Sequence, residues 1–318
     1  MSTTLPVSPL PPGASRAALP SLGVLDVTGA DARAFLQGQL SSDVNALAVG
    51  AAHYASYNSP KGRMLATLIV WRRTDEHFAL IVAADLAEAI NRRLSIFVLR
   101  AKVAISASPR ALWGVLGNGA ADALATVVGA RLAAFHSAQQ AGFAALALPD
   151  GRQLLDAGAV LPTEIAALPV VDESIWRWCA IRAGVPMVTA ATSDKLIAQA
   201  ANWELVGGVD FRKGCYPGQE IIARMQYLGR LKERLHGFHL VDGAAMPAAG
   251  TPLHQAGRDE AVGIVVNSAP SPAGGSDLLA VVRQEAADGA SIEIDGVALT
   301  PRALPYAIPA LENVRVKL

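Results

Sequence analysis

The sequence is poor in cysteine, in long apolar runs and in net charge. Two cysteines in 318 residues cannot build a disulfide framework, which predicts a reducing compartment and therefore a cytoplasmic protein. Lysine plus arginine and aspartate plus glutamate number 27 each, so no global field attracts nucleic acid or a membrane surface. No apolar run approaches the roughly 18 residues that a membrane span needs. We therefore expect a protein that neither crosses a membrane nor binds nucleic acid directly.

The N-terminal segment 1–20 has the composition of a tail. It holds five prolines, and it lacks the charged region followed by an apolar region that a secretory leader needs. Proline-rich, weakly apolar segments bury too little surface to fold. We predict a disordered tail over residues 1–20 and an ordered chain from Ser21.

Residues 21–234 alternate between strand-like and helix-like patterns. The run LGVLDVT is typical of a strand, and GADARAFLQGQL is typical of a short helix. AHYASY and RMLATLIVWRR surround a turn rich in Asn, Ser, Pro and Gly, which predicts a hairpin, and FAALALPDGRQLLDAG predicts a second one. The order β-α-β-β-α-β, used twice, indicates an α+β body built from ferredoxin-like, split-βαβ units.

The pattern changes after residue 234. Runs such as RLHGFHLV, AVGIVVNS and LLAVVRQ are short and strand-like, and Gly, Pro, Asn and Asp separate them. These features predict a separate small β-barrel domain over residues 235–318.

Two motifs that would indicate other chemistry are incomplete. Gly117 and Gly119 stand between a strand and a helix, but Asp122 occupies the place of the third glycine in a dinucleotide fingerprint. The histidines form no H-E-x-x-H pattern, and the cysteines form no C-x-x-C pattern. We therefore expect no metal site and no dinucleotide site.

The stretch FRKGCYPGQE surrounds Cys215 with residues that are unusual for a buried thiol. Pro217 suits the first position of a helix, and a thiol at a helix N-terminus beside Lys213 is favoured as a thiolate. From these residues alone, a reactive or ligand-binding Cys215 and a buried structural one remain equal alternatives. Cys179 lies on the apolar side of a predicted helix and is expected in the core.

A short helix is predicted after this turn. Gln219 and Glu220 occupy its first turn, where they would cap the helix or orient a ligand. Glu220 and Arg224 have the i, i+4 spacing that predicts an ion pair. The core-facing side is predicted to carry the apolar residues Ile221, Met225 and Leu228.

Four sequence blocks occur together in the order and spacing of one known family. Residues 213–220 read KGCYPGQE, close to the family motif K-G-C-Y-x-G-Q-E. The other blocks are FLQGQLSSDV from Phe35, NSPKGRML from Asn58 and IRAGVP from Ile181. The chain thereby resembles, over about residues 21–235, the YgfZ family of folate-binding proteins. That family assists iron–sulfur cluster assembly and is related to the glycine-cleavage aminomethyltransferases.

The resemblance implies both a fold and a ligand. The fold is an α+β folate-binding body followed by a C-terminal β-barrel, and the cofactor is a tetrahydrofolate. An aromatic residue stacks on the folate in this family, and Trp176 stands at the matching position. The other residues that we assign to the folate site are Arg182, Tyr216, Gln219, Glu220 and Arg224. The locally basic stretch 210–235 would suit the anionic glutamate tail of folate.

Departures from the related enzymes bear on mechanism. Aminomethyltransferases carry an acidic pair after the hairpin glycine, where this sequence has Ala66 and Thr67. They also carry a glutamate at the position of Arg182, and a cation cannot accept the hydrogen bonds of a pterin edge. Some relatives have a second tryptophan where Leu22 stands. Aminomethyl transfer is therefore not expected, and one stacking surface for folate is missing.

These observations lead to one hypothesis and three alternatives. The hypothesis is an accessory protein for assembly or repair of iron–sulfur clusters in client enzymes, including tRNA-modifying enzymes. In it, the Cys215 thiolate, stabilised by Lys213, transiently handles iron, sulfur or an oxidised thiol. The alternatives are a folate-dependent one-carbon transferase with altered chemistry, an interaction module with a structural Cys215, and a nucleic-acid binder. The basic stretch lacks the interleaved aromatics that favour the last alternative.

Overall fold

The computed structural model describes residues 11–158, 160–227, 229, 231–287 and 291–309. Its first ten strands are β1 (Ser15–Ala18), β2 (Leu22–Thr28), β3 (Ala52–Asn58), β4 (Met64–Thr74), β5 (His77–Ala83), β6 (Ala104–Ala107), β7 (Ala111–Leu116), β8 (Ser137–Gln140), β9 (Phe143–Ala147) and β10 (Gln153–Ala157). The later strands are β11 (Glu233–Leu240), β12 (Pro252–Gln255), β13 (Ala261–Pro270), β14 (Ser276–Arg283), β15 (Ile292–Ile294), β16 (Val297–Ala298) and β17 (Thr300–Arg302). The helices are α1 (Ala32–Gln37), α2 (Ala84–Ile96), α3 (Ala120–Val128), α4 (Thr163–Ala166), α5 (Glu173–Arg182), α6 (Gln219–Tyr227) and α7 (Gln284–Ala287).

The first body sheet is antiparallel and has the order β3-β4-β5-β2-β6, and its central strands β4 and β5 are buried on both faces. Successive side chains of a strand point to opposite faces. Leu80 and Val82 therefore join the core beneath α2, whereas Ile81 joins a second core. Helix α2 covers the sheet because its buried residues Leu86 and Ile90 are spaced i, i+4 on one face.

The second body sheet has the order β1-β7-β10-β9-β8 and packs over the second core. Its strand β1 lies within the segment that was predicted to be a disordered tail. That prediction is wrong for residues 15–18, because β1 pairs with β7 and Ala17 is fully buried. Residues 11–14, 19 and 20 of the predicted tail are also described, and Leu19 is buried. Residues 1–10 lie outside the described residues.

The C-terminal strands form a seven-stranded, nearly closed barrel with the order β16-β15-β12-β13-β14-β11-β17. Its own core includes Phe238, Leu253 and Val265. The predicted α+β class with a C-terminal β-barrel is confirmed. The first barrel strand begins at Glu233, close to the predicted domain boundary. No helix in the described part of the chain combines the length and apolarity of a membrane span.

The barrel and the body share a core and a buried polar cluster. Leu279 of β14 joins the core beneath α2. Asp277, which is 1% exposed, accepts hydrogen bonds from Trp178 Nε1 at 2.8 Å, Arg302 Nη1 at 2.5 Å and His239 Nδ1 at 2.8 Å. Because Trp178 belongs to α5 and the other partners to barrel strands, this carboxylate fixes α5 against the barrel.

Candidate functional site

The motif loop 213–220 is held in place by a buried lysine. Lys213 Nζ donates hydrogen bonds of 2.5 Å to the carbonyl oxygens of Gln37 and Leu40, at the end of α1. It also lies 4.9 Å from the centroid of the Tyr216 ring. Burial lowers the pKa of Lys213 to about 8, although the negative charges of Asp43, Asp210 and Cys215 act in the opposite direction. The ammonium therefore anchors the loop while interacting electrostatically with the Cys215 sulfur.

Two more residues of the motif close the loop. Tyr216 is buried, and the loss of solvent raises the pKa of its phenol to about 12, with a smaller contribution from Asp210. Gln219 Nε2 donates to the carbonyl oxygen of Lys213 at 3.4 Å. The loop is thus packed at both ends, and Cys215 is exposed between them.

The helix after the motif begins later than the sequence predicts. Pro217 was expected at the first helical position, but α6 begins at Gln219. The reason is Gly218, whose φ of 79° is incompatible with a right-handed helix. Pro217 and Gly218 form a turn instead, so the thiol is separated from the helix N-terminus by three residues. The expected placement of Cys215 at a helix terminus is therefore wrong.

Two predictions about α6 also need correction. Among the ion pairs of the described residues, none joins Glu220 to Arg224, and both side chains are exposed. Exposed i, i+4 pairs contribute little, so water competes with this contact. The buried residue of the helix is Ile222, whereas Ile221 and Met225 are only partly buried. Leu228 lies outside the described residues.

A cavity of about 350 Å³ lies where the two body sheets, α5 and the barrel meet. Its lining is mainly apolar and includes Leu22, Ile81 and Met187. The barrel supplies residues 246–249 and Asn267 to the wall. Concave, mostly apolar cavities with a few polar groups are typical of small-molecule binding sites.

Trp176 lines this cavity, as a folate-stacking residue would, but little of the ring is exposed. The side chain is 4% exposed, and the guanidinium of Arg152 lies 4.4 Å from its ring centroid. Another part of the ring packs on Gly114, where a Cβ atom would lie 2.4 Å from Cε3. The ring is therefore largely enclosed, and Arg152, which covers part of it, also lines the cavity.

Arg182 does not line the cavity. It lies in a small separate pocket with Asp277 and Arg302, where burial and then the charge of Arg302 lower its pKa. Arg182 lies six positions after Trp176 in α5, which places the two side chains about 120° apart around the helix. Tyr216, Gln219, Glu220 and Arg224 do not line the cavity either. The predicted folate residues are thus divided among three places.

The cavity has polar residues that the sequence did not single out. They include Tyr54, Arg152 and Arg177, which come from β3, the turn before β10 and α5. The only sequence signal for Arg152 is its place in PDGRQ, which indicates a turn and nothing more. Its contact with Trp176 depends on the approach of α5, which no local pattern encodes.

Ala66 and Thr67 occupy the two positions that are acidic in aminomethyltransferases, and both have structural roles here. Ala66 is fully buried. Thr67 lines the cavity, but its Oγ1 atom accepts a hydrogen bond from the Val188 N–H at 3.0 Å. The hydroxyl therefore supports the cavity wall. The described residues contain no group of three or more His, Cys, Asp or Glu side chains that could hold a metal ion.

Comparisons with known proteins define the class and then the family. The profile of the GCVT N-terminal domain matches residues 18–147. The crystal structure of the glycine cleavage system aminomethyltransferase T from Bartonella henselae superposes with a TM-score of 0.76 at 18% sequence identity, covering 93% of this chain and 86% of that chain. The protein therefore has the aminomethyltransferase fold.

Relatives found by sequence identify the family within this fold class. The chain is 34% identical over 243 residues to the tRNA-modifying protein YgfZ of Yersinia pseudotuberculosis, covering 72% of each protein. It is 30% identical over 224 residues to the tRNA-modifying protein YgfZ of Colwellia psychrerythraea, covering 68% of this chain and 69% of the relative. The chain belongs to the YgfZ family, and the resemblance inferred from its motifs is confirmed.

Proposed function

We propose that this protein binds a tetrahydrofolate and serves as a cytoplasmic accessory protein for the assembly or repair of iron–sulfur clusters in client enzymes, tRNA-modifying enzymes among them. The observation that carries the proposal is the exposed Cys215 on the otherwise packed motif loop. The names of the YgfZ relatives support a client role connected with tRNA modification.

The residues of the cavity fit a tetrahydrofolate. A volume of about 350 Å³ lies within the range typical of small-molecule sites. The walls are apolar and include Trp176, and the hydroxyl group of Tyr54 is buried without a hydrogen-bond partner among the described residues. Arg177 lines the cavity and is partly exposed, so it is suited to a carboxylate of the glutamate tail.

The environment of Cys215 suits a thiol that contacts other molecules. In this proposal the Cys215 thiolate transiently handles iron, sulfur or an oxidised thiol, with Lys213 as the nearby cation. One thiol supplies one ligand to a cluster, so a second chain or a small thiol would supply the others. In this proposal, iron and sulfur are substrates that the protein passes on. Gln219 keeps the motif loop closed through its hydrogen bond to the Lys213 carbonyl oxygen.

The alternative of a one-carbon transferase has less support. The side chains at the two positions of the acidic pair are a buried alanine and a hydroxyl that is already hydrogen-bonded to the backbone. Neither Ala66 nor Thr67 can accept and return a proton as a carboxylate does. We expect no one-carbon unit to leave a folate donor in the presence of the purified protein.

The proposal is tested in bacteria that lack their own family member. Wild type, Cys215→Ser and Cys179→Ala are expressed at matched levels, and a [4Fe–4S]-dependent activity is measured under oxidative stress. Cys179 is the matched control because it is buried and its pKa is raised to about 11 by desolvation. We expect rescue by wild type and Cys179→Ala but not by Cys215→Ser. Rescue by Cys215→Ser would assign Cys215 a structural role, and no rescue by any form would refute the client role.

A further inference from the structure

Arg152 faces the cavity as part of a fixed three-residue arrangement. It ends a tight turn in which the Leu148 N–H donates to the Arg152 carbonyl oxygen at 2.9 Å. Its Nε and Nη2 atoms donate to Asp150 Oδ2 at 2.9 and 2.6 Å, and its guanidinium lies over the Trp176 ring. Arginine pairs with carboxylates through two N–H groups and stacks on aromatic faces. Both contacts hold the guanidinium in one orientation at the cavity wall.

This arrangement leaves hydrogen-bond donors without acceptors. A guanidinium has five N–H groups. Two of them serve Asp150, and one on Nη1 donates to the Trp176 carbonyl oxygen at 3.4 Å. One N–H on Nη1 and one on Nη2 therefore have no acceptor in the described part of the chain, and neither does the Tyr54 hydroxyl. Buried donors are normally paired, so these groups are suited to an acceptor on a bound ligand.

The charges of Arg152 and Asp150 determine which kind of ligand acceptor is favoured beside them. Asp150 is 1% exposed and cancels the charge of Arg152. An anion placed here would be attracted by the guanidinium and repelled by the carboxylate, so the pair favours a neutral acceptor such as a ring carbonyl. Arg177, also on the cavity wall, is partly exposed, and its Nε atom has no hydrogen-bond partner. A ligand's carboxylates are therefore better matched to Arg177.

We propose that Arg152 recognises the carbonyl edge of a flat, fused-ring heterocycle, the pterin in the case of tetrahydrofolate. Trp176 and Asp150 are positioning residues that hold its guanidinium, and Tyr54 adds a second donor to the same edge. The inference rests on the proposed folate function. The N–H groups of Arg152 donate to the carbonyl edge of the ring, whereas the carboxylate of the related enzymes accepts hydrogen bonds from the pterin. Trp176 then supports the arginine rather than stacking directly on the ligand.

The first test compares two probes by titration calorimetry: tetrahydrofolate, and p-aminobenzoylglutamate, which has the tail but no pterin. Arg152→Lys keeps a cation beside Asp150 but loses the planar group. We expect it to weaken tetrahydrofolate binding about tenfold or more, because hydrogen bonds to charged groups are strong. Binding of p-aminobenzoylglutamate is expected to stay unchanged. Arg177→Met is the control for the tail end of the cavity. It should weaken the binding of both probes, because both carry the glutamate tail.

A second variant keeps the inference testable if Arg152→Lys does not fold. Tyr54→Phe removes a hydroxyl that has no hydrogen-bond partner among the described residues, so its urea midpoint should equal that of wild type. Its affinity for tetrahydrofolate should fall about three- to tenfold, as for a neutral hydrogen bond. Wild-type-like affinity in both variants, or equal loss for both probes, would overturn the assignment of Arg152. Absence of tetrahydrofolate binding by wild type would instead overturn the folate function itself.

Discussion

Gly62 and Gly218 lie in contact where the turn of the first hairpin meets the loop that carries Cys215. A Cβ atom on Gly218 would lie 2.7 Å from the Cα atom of Gly62 and 2.5 Å from the carbonyl oxygen of Ser59. Both glycines have positive φ angles, 72° and 79°. Two sequence motifs that are far apart in the chain therefore meet through backbone, and this contact fixes the loop beside the thiol.

We expect Gly218→Ala to destabilise the fold by about 1–3 kcal/mol, because the new methyl group would overlap Ser59 and the left-handed φ is strained for alanine. Urea denaturation measures this loss. Gly214→Ala is the matched control in the same loop, since a Cβ there meets nothing within 4 Å and its φ is not positive. Its effect should stay within about 0.5 kcal/mol. Equal effects of the two substitutions would show that the glycine contact does not matter.

The two cysteines should differ in reactivity. Cys215 is exposed, whereas Cys179 is buried and desolvation raises its pKa to about 11. Since the thiolate is the reactive form, iodoacetamide at neutral pH should add one group per native chain and two per chain in denaturant. Intact-mass spectrometry, with peptide mapping, gives the count and the position. Two adducts on the native protein, or none, would contradict this description of the site.

The stability should depend on His53 at mildly acidic pH. Burial lowers the pKa of His53 from 6.5 to about 4, although the hydrogen bond from Nδ1 to the Tyr54 carbonyl oxygen opposes this shift. Between these two values the unfolded chain binds a proton that the folded chain does not, so stability rises with pH across the window and falls on acidification.

The measurement for His53 compares wild type with His53→Gln, which cannot titrate. From pH 6.5 to 4.5 the free energy of unfolding of wild type should fall by about 1 kcal/mol or more relative to the variant. Above pH 7 the difference between the two proteins should be constant. A difference that does not change with pH would mean that the imidazole is not buried in its neutral form.

Asn267 should link the barrel to the cavity. Its Oδ1 accepts from the Met187 N–H at 2.8 Å, and its Nδ2 donates to the Met187 carbonyl oxygen at 2.9 Å. Asn267→Ala should cost about 1–3 kcal/mol, because two backbone groups lose their partners. It should also weaken tetrahydrofolate binding, since Met187 is part of the cavity wall. Asn45→Ala, at an exposed position, should change neither quantity. Unchanged tetrahydrofolate affinity in Asn267→Ala would show that this barrel residue does not support the binding site.

Much of the fold follows from local patterns in the sequence. The two hairpins were predicted because alternating apolar residues surround turns rich in glycine and proline, as at Gly62 and Gly151. The barrel was predicted because short strands are separated by turn residues. Both signals are local, so they can be recognised without knowledge of tertiary contacts.

The wrong predictions concern features that are determined by contacts between residues far apart in the sequence. Strand β1 is stable because it pairs with β7, and nothing within residues 1–20 indicates that partner. Pro217 suits a helix start, but the contact of Gly218 with Gly62 enforces a turn. Arg152 is a turn residue by sequence, and it becomes part of the site only because α5 brings Trp176 above it. Such features depend on tertiary packing, which overrides local preference.

The central claim is that Cys215 serves the iron–sulfur clusters of other proteins, and its most direct test uses purified components. A [4Fe–4S] dehydratase is inactivated by oxidation and then supplied with ferrous iron, sulfide, thiol and tetrahydrofolate, and its reactivation rate is measured. We predict that wild type and Cys179→Ala accelerate reactivation, whereas Cys215→Ser leaves the rate at its unassisted value. Equal acceleration by Cys215→Ser and wild type would contradict the claim.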